Sequence, residues 1–174
     1  VGAPLVFAED RFRVERYASD AAVLTGPDGG CETYVPALLG ACQQKNLATF
    51  RAAVEALPLP LPEQAVRDGV RNVVKNTRLM GRWQQLSEAP FTVCDTGHNV
   101  GGWRWLSQQL KATAERYGQL IMVIGFVGDK DISGILSLIP RDARYIFTRP
   151  SVERGLDERE LAAKAKEVGL EGEI

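Results

Sequence analysis

The residues best suited to chemistry gather in a few short stretches. Asp95 and His98, the single histidine, stand three positions apart in Cys94-Asp95-Thr96-Gly97-His98-Asn99. A carboxylate there can accept ribose hydroxyls or a substrate ammonium, and an imidazole can donate to phosphate or carboxylate. Lys130 sits in Gly125-Phe126-Val127-Gly128-Asp129-Lys130-Asp131 and offers a compact positive charge to a carboxylate or phosphate. Arg82, next to Gly81, carries a guanidinium that can grip phosphate held between two domains. Asn46 is a poor residue for a helix interior, and its place near the start of a helical stretch suits a contact made from that helix end. Each position also has a plainer reading: a strand end, a solvated loop tip, a surface arginine or a tolerated surface asparagine.

The elements that must position these groups follow from periodicity. Phe91 to Asp95 is aromatic or β-branched until its last two residues, which predicts a buried strand meeting water at Asp95. Asn99 can cap the next helix, where Val100, Trp103, Leu106, Leu110 and Ala114 share one face. Strand, loop, helix is the unit whose loop binds ligands in an open α/β sheet, with the helix N-terminus favouring anions. The loop bearing Lys130 follows the apolar strand 120–126 in the same way and is expected on the same rim. Helix 132–138, strand 144–148 and helix 158–168 complete the alternation, with Asp131 and Asp157 as N-caps and 169–174 as the approach to another strand. Alternation of this kind predicts parallel pairing by right-handed crossovers, hence a doubly wound α/β sheet.

The first half reads differently. Leu5–Ala8, Arg11–Tyr17, Ala21–Thr25 and Cys31–Val35 look like strands of a β-meander, with a turn at Gly26-Pro27-Asp28-Gly29-Gly30. Helices follow at 43–57 and from Pro62 to about Asn76, separated by Pro58-Leu59-Pro60-Leu61-Pro62. Periodicity then lapses, and the expected domain boundary lies at 80/81.

Composition narrows the classes. The chain has 174 residues, 45% of them hydrophobic, enough for a core. Twenty-one basic and twenty-two acidic residues leave a net charge of −1, which argues against nucleic acid or an anionic membrane as partner. The longest apolar run is far shorter than the roughly 20 residues a bilayer requires. Cys31, Cys42 and Cys94 lack C-x-x-C spacing, so neither a disulfide framework nor a metal site is expected, and a cytoplasmic setting fits. Neither G-x-G-x-x-G after a strand nor G-x-x-x-x-G-K-[ST] occurs, so any phosphate-cradling loop lies elsewhere. The chain opens at Val1, without methionine and close to strand-like sequence, as a piece of something longer would.

In order, these pieces resemble folylpolyglutamate synthase and dihydrofolate synthase of the ATP-dependent Mur ligase superfamily. Phe7-Ala8-Glu9-Asp10-Arg11-Phe12 resembles a central-domain strand, and Leu39-Gly40-Ala41-Cys42-Gln43-Gln44-Lys45-Asn46 is similar to the motif L-G-x-H-Q-x-x-N. Gly81-Arg82 matches the end of W-P-G-R, Asp95-Thr96-Gly97-His98-Asn99 matches D-x-A-H-N, and Gly128-Asp129-Lys130-Asp131 matches a D-K-D loop. The departures are Cys42 for histidine, Leu79-Met80 for Trp-Pro, Gly97 for alanine and Val100 for proline. The resemblance implies the end of a central P-loop ATPase domain over 1–80 and a Rossmann-like ligase domain over 81–174. It implies an enzyme that phosphorylates a folate or pteroate carboxylate with ATP and Mg2+, then joins L-glutamate to it. Asn46 would contact adenine, Arg82 phosphate, and Asp95 ribose or the incoming amino acid. His98 and Lys130 would hold glutamate, or phosphate in the case of His98, while the metal ligands would lie outside this chain. The resemblance implies a monomer, inactive as this piece alone. A murein-precursor ligase acting on a UDP-linked acid and a non-catalytic ligase homologue are the rival readings.

Overall fold

The computed structural model describes residue 2, residues 4–128 and residues 131–174. Its backbone forms two compact units that divide between Thr96 and Gly97. Among the described residues, no helix is long and apolar enough to cross a membrane.

The first unit opens with a 3-10 turn at Ala8–Asp10 and an antiparallel meander of β1 (Arg13–Tyr17), β2 (Ala22–Thr25) and β3 (Cys31–Tyr34). Val14 faces Leu24, which faces Glu32. The expected strand over Leu5–Ala8 is absent: Leu5 is 77% exposed and no strand pairs with it, so apolar composition without a partner does not make a strand. Helix α1 (Gln43–Ala56) lays Leu47 and Ala48 against Phe12, Ala22, Leu24 and Tyr34 to form the core of this unit. Phe50 and Leu57 of this helix stay exposed while Gln43 is buried. Leu57 adopts extended backbone before the proline-rich stretch and ends the helix. Helix α2 (Glu63–Thr77) adds Val66 and Val70 to the core and stops at Arg78, which has left-handed backbone.

The unit closes with an antiparallel ribbon of β4 (Gln84–Glu88) and β5 (Phe91–Cys94), pairing Gln84 with Cys94 and Glu88 with Phe91. Strand β4 is unexpected from sequence. It reads Gln-Gln-Leu-Ser-Glu, too polar for a strand signal, and forms because a tight turn delivers it directly to β5.

The second unit alternates helix and strand as expected: α3 (Val100–Tyr117), β6 (Ile121–Ile124), α4 (Ile132–Leu136), β7 (Arg144–Phe147), α5 (Glu158–Glu167) and β8 (Gly172–Glu173). The sheet runs β6-β7-β8, all parallel, with Met122 opposite Tyr145 and Tyr145 opposite Gly172. One part of the expected topology is corrected. Strand β5 is hydrogen-bonded to β4 and not to β6, so the strands before His98 and before Lys130 are not paired neighbours. Met122, Ile124, Tyr145 and Phe147 on one sheet face join Ile135, Leu161 and Ala165 among the buried residues of this unit, leaving Ile121 and Val123 exposed on the other face.

Candidate active-site elements

In the first unit three of the singled-out stretches converge. Gly81 has a left-handed φ of +68°, and its carbonyl accepts from both the Thr96 amide at 2.9 Å and the Thr96 hydroxyl at 3.0 Å. A Cβ on Gly81 would fall 2.5 Å from Thr96 Cγ2, so the close approach itself requires glycine. Arg82 Nη1 donates to Thr96 Oγ1, and the Trp83 amide donates to Asp95 Oδ2 at 2.7 Å. One Asp95 oxygen is thus committed to backbone, and an incoming hydroxyl or ammonium would meet Oδ1 or the lone pair left on Oδ2. Gly40, buried ahead of α1, has both Trp83 Cβ and Gln43 Cγ 3.6 Å from where its own Cβ would stand. Segments 40–46, 81–83 and 95–96 therefore share one neighbourhood.

Asn46 lies on that side of the unit. Its side-chain amide donates to Gln43 Oε1 at 2.9 Å, and both residues line a cavity of about 180 Å³ with Tyr17, Leu38, Phe50 and Val70. The walls are apolar apart from these amides and the Tyr17 phenol, which suits a flat heterocycle with hydrogen-bonding edges. Burial, reinforced by nearby Cys42, pushes the Tyr17 phenol up to about 12, so it stays neutral and donates to the Leu38 carbonyl at 2.6 Å.

In the second unit His98 and Asn99 are exposed at the start of α3. Asn99 caps the helix as expected, its Oδ1 accepting from the Gly102 amide at 2.7 Å. Trp103 ties this loop to the next: its indole N–H donates to the Gly97 carbonyl at 3.1 Å and its ring lies 6.4 Å from that of Phe126. Asp131 caps α4 through the Gly134 amide at 2.9 Å, and a Cβ on Gly134 would stand 2.9 Å from Val100 Cγ2. The first turn of α3 thus lies beside the start of α4 and beside Phe126 after β6. Lys130 falls outside the described residues.

A third loop, 148–156, went unremarked in the sequence. It follows β7 and is hydrogen-bonded to the loop after β6: Gly128 N to the Arg154 carbonyl at 3.0 Å and Leu156 N to the Phe126 carbonyl at 2.9 Å. The available signal was positional, since every loop after a parallel strand reaches the same rim.

A profile for the glutamate ligase domain of Mur ligases matches residues 81–174. The chain belongs to the Mur ligase family. The dihydrofolate synthase/folylpolyglutamate synthase of Escherichia coli K12 is 38% identical over 94 residues, covering 54% of this chain and 21% of that relative. The E. coli FolC structure in complex with DHPP and ADP superposes with a TM-score of 0.73 at 27% identity, over 91% of this chain and 36% of the other. The Mycobacterium tuberculosis folylpolyglutamate synthase complexed with ADP gives 0.70 at 28% identity, over 94% and 38%. The chain therefore spans well under half of the Mur ligase relatives it matches. The α/β fold of the chain and the family's ligase and folate-metabolism character follow from these matches.

Proposed function

We propose that the chain is the C-terminal part of a monomeric, cytoplasmic, ATP-dependent ligase that joins L-glutamate to a folate-type carboxylate, either dihydropteroate or a folyl-glutamate. The observation that carries this reading is the convergence of the Gly81-Arg82, Asp95-Thr96 and Gly40–Asn46 stretches in the first unit, together with a glutamate-ligase match that begins at residue 81. The start of that match also supports a domain boundary at 80/81.

In this reaction a carboxylate oxygen attacks the γ-phosphorus of ATP, ADP leaves, and the amine nitrogen of glutamate displaces phosphate from the acyl phosphate. No residue of this chain acts as nucleophile. Catalysis comes from positioning and from cations set where negative charge develops. Arg82, held by Thr96, offers its guanidinium to phosphate. Asn46 and the cavity beside it take adenine. Asp95 takes ribose or the substrate ammonium through its less committed oxygen, while His98 and Lys130 hold glutamate, with His98 alternatively on phosphate. In this reading the divalent-metal ligands lie outside this chain.

The test compares this chain with the longer protein. The chain alone, given ATP, glutamate and dihydropteroate, makes no ADP, while the longer protein makes ADP and the glutamyl amide in equal amounts. Arg82→Ala in the longer protein lowers kcat about 100-fold, the scale expected for removing one preorganised donor from a developing anion. ADP formation by the chain alone, or an Arg82→Ala enzyme with wild-type kcat, refutes the assignment.

A further inference from the structure

The single histidine, His98, is flanked on both sides by backbone that Trp103 holds. The Gly97 carbonyl before it accepts from the Trp103 indole N–H at 3.1 Å, and the Asn99 carbonyl after it accepts from the Trp103 amide at 3.1 Å. Trp103 is only 4% exposed, with its ring beside that of Phe126, so the loop is tied to a side chain that cannot shift without opening close-packed contacts. Asn99 is fixed further through its own side chain, because Oδ1 accepts from the Gly102 amide at 2.7 Å. An amide nitrogen has no lone pair to offer that N–H, so only one orientation of the Asn99 carboxamide satisfies the cap. That orientation puts Nδ2 3.5 Å from His98 Nε2. Gly101 and Gly102 leave the carboxamide its room, since a Cβ on either would stand 3.4 Å from Asn99 Oδ1.

Nδ2 can only donate. With its proton on Nε2, His98 would turn an N–H toward another N–H; with the proton on Nδ1, Nε2 meets Nδ2 with a lone pair instead. At 3.5 Å the attraction itself is weak, and the difference between the two forms comes as much from the repulsion that one of them avoids. We infer that Asn99 is a positioning residue for His98, holding the neutral imidazole as its Nδ1–H tautomer, the reverse of the form an unconstrained imidazole favours. Two atoms of one side chain thus do two things: Oδ1 starts α3 and Nδ2 selects the state of the histidine beside it. In the ligase reading, on which this consequence rests, Nδ1–H is the His98 donor to the substrate anion.

The test uses the longer protein and two readouts. With ring-15N histidine in alkaline buffer, where imidazole is neutral, NMR shifts report which nitrogen carries the proton, and the His98 signals are those lost in His98→Gln. Wild type is expected to show a protonated Nδ1 and an unprotonated Nε2. Asn99→Asp keeps one oxygen for the Gly102 amide and turns a second toward Nε2, so the proton should move to Nε2. Asn99→Ser keeps a capping oxygen and removes Nδ2, and should also shift the ring toward Nε2–H. Both substitutions retain a cap, so the start of α3 survives in each. An Nε2–H form in wild type, or an Nδ1–H form that persists in both variants, overturns the inference. Activity supplies the second readout, because an asparagine amide nitrogen falls near the place of imidazole Nδ1 and a glutamine one near that of Nε2. His98→Asn should therefore keep a kcat/KM for glutamate about tenfold above that of His98→Gln, the scale of one charge-assisted hydrogen bond. Equal kcat/KM in the two overturns the donor role while the ligase reading stands, since ADP formation by the wild type decides that reading separately.

Discussion

Gly81→Ala should expose how the Gly81-Arg82 corner is held. Two costs arise there and they can be separated. The left-handed φ of +68° costs an alanine about 1–2 kcal/mol, partly offset because alanine also restricts the unfolded chain. The new methyl, 2.5 Å from Thr96 Cγ2 and 3.3 Å from Thr96 Oγ1, adds an overpacking cost of about 1–3 kcal/mol. Gly29 supplies the reference: its φ is +78° and nothing lies within 4 Å of its Cβ position, so Gly29→Ala pays the backbone cost alone. Urea unfolding followed by circular dichroism should put Gly81→Ala about 2–4 kcal/mol below wild type and Gly29→Ala about 1 kcal/mol below, both with unchanged m. Thr96→Ser deletes Cγ2 and keeps the hydroxyl that bonds the Gly81 carbonyl, so the double variant should recover about 1–2 kcal/mol relative to additivity. Amide exchange at Thr96, whose N–H donates to Gly81, should speed up in Gly81→Ala and slow again in the double variant. Equal losses at Gly81 and Gly29, with no coupling to Thr96→Ser, would show that the corner is not packed as described.

Other elements yield shorter expectations. Arg51 grips Glu32 through Nε at 2.8 Å and Nη2 at 2.8 Å, both side chains about three-quarters covered, so Glu32→Gln should cost about 1–2 kcal/mol at pH 7 by urea titration. The Arg51 hydrogen bond holds the Glu32 carboxyl below its ordinary range; its stabilisation is therefore present above the unfolded-state pKa and lost as pH falls through the lower folded one, and the Gln variant should converge on wild type in acid melts. Tyr34 shows the opposite sign: burial and Glu32 push its phenol up to about 12, so its contribution is complete below pH 10 and fades between about 10 and 12, a loss that Tyr34→Phe should remove from an alkaline melt. Asn99→Ala should cost about 1 kcal/mol through the lost cap and Asn99→Asp far less, read from thermal unfolding of the second unit.

The helices and the three parallel strands of the second unit were legible because their signals are local. Asn99, Asp131 and Asp157 each cap the helix they precede, through Gly102, Gly134, and Arg159 with Glu160 respectively. The first-unit helices were equally plain, yet their burial was not. Gln43 goes inside and Phe50 stays out, because the side-chain amide of Gln43 has a hydrogen-bond partner in Asn46 that offsets the cost of its burial. The motif residues could be named from resemblance, but nothing in their order said that Thr96 would hold both Gly81 and Arg82, or that Asp95 would spend an oxygen on the Trp83 amide.

The misread partner of Phe91–Cys94 shows the limit most clearly. Alternating strands and helices argue for parallel neighbours, and that rule held from β6 onward. It failed at β5 because a hairpin needs no crossover: Gln84–Glu88 is two residues away along the chain, whereas β6 lies beyond the whole of α3. A strand as polar as Gln-Gln-Leu-Ser-Glu is invisible to periodicity, since what stabilises it is the ladder it completes with β5, from Gln84–Cys94 to Glu88–Phe91. That ladder also has a consequence for the site. It fixes Asp95 directly across from the residues just before β4, which is how Trp83 and Arg82 come to meet Asp95 and Thr96. Shifting the register by one residue would turn Asp95 to the opposite face and undo those contacts, so the polar strand that sequence reading passed over is the element that brings Arg82, Trp83, Asp95 and Thr96 together.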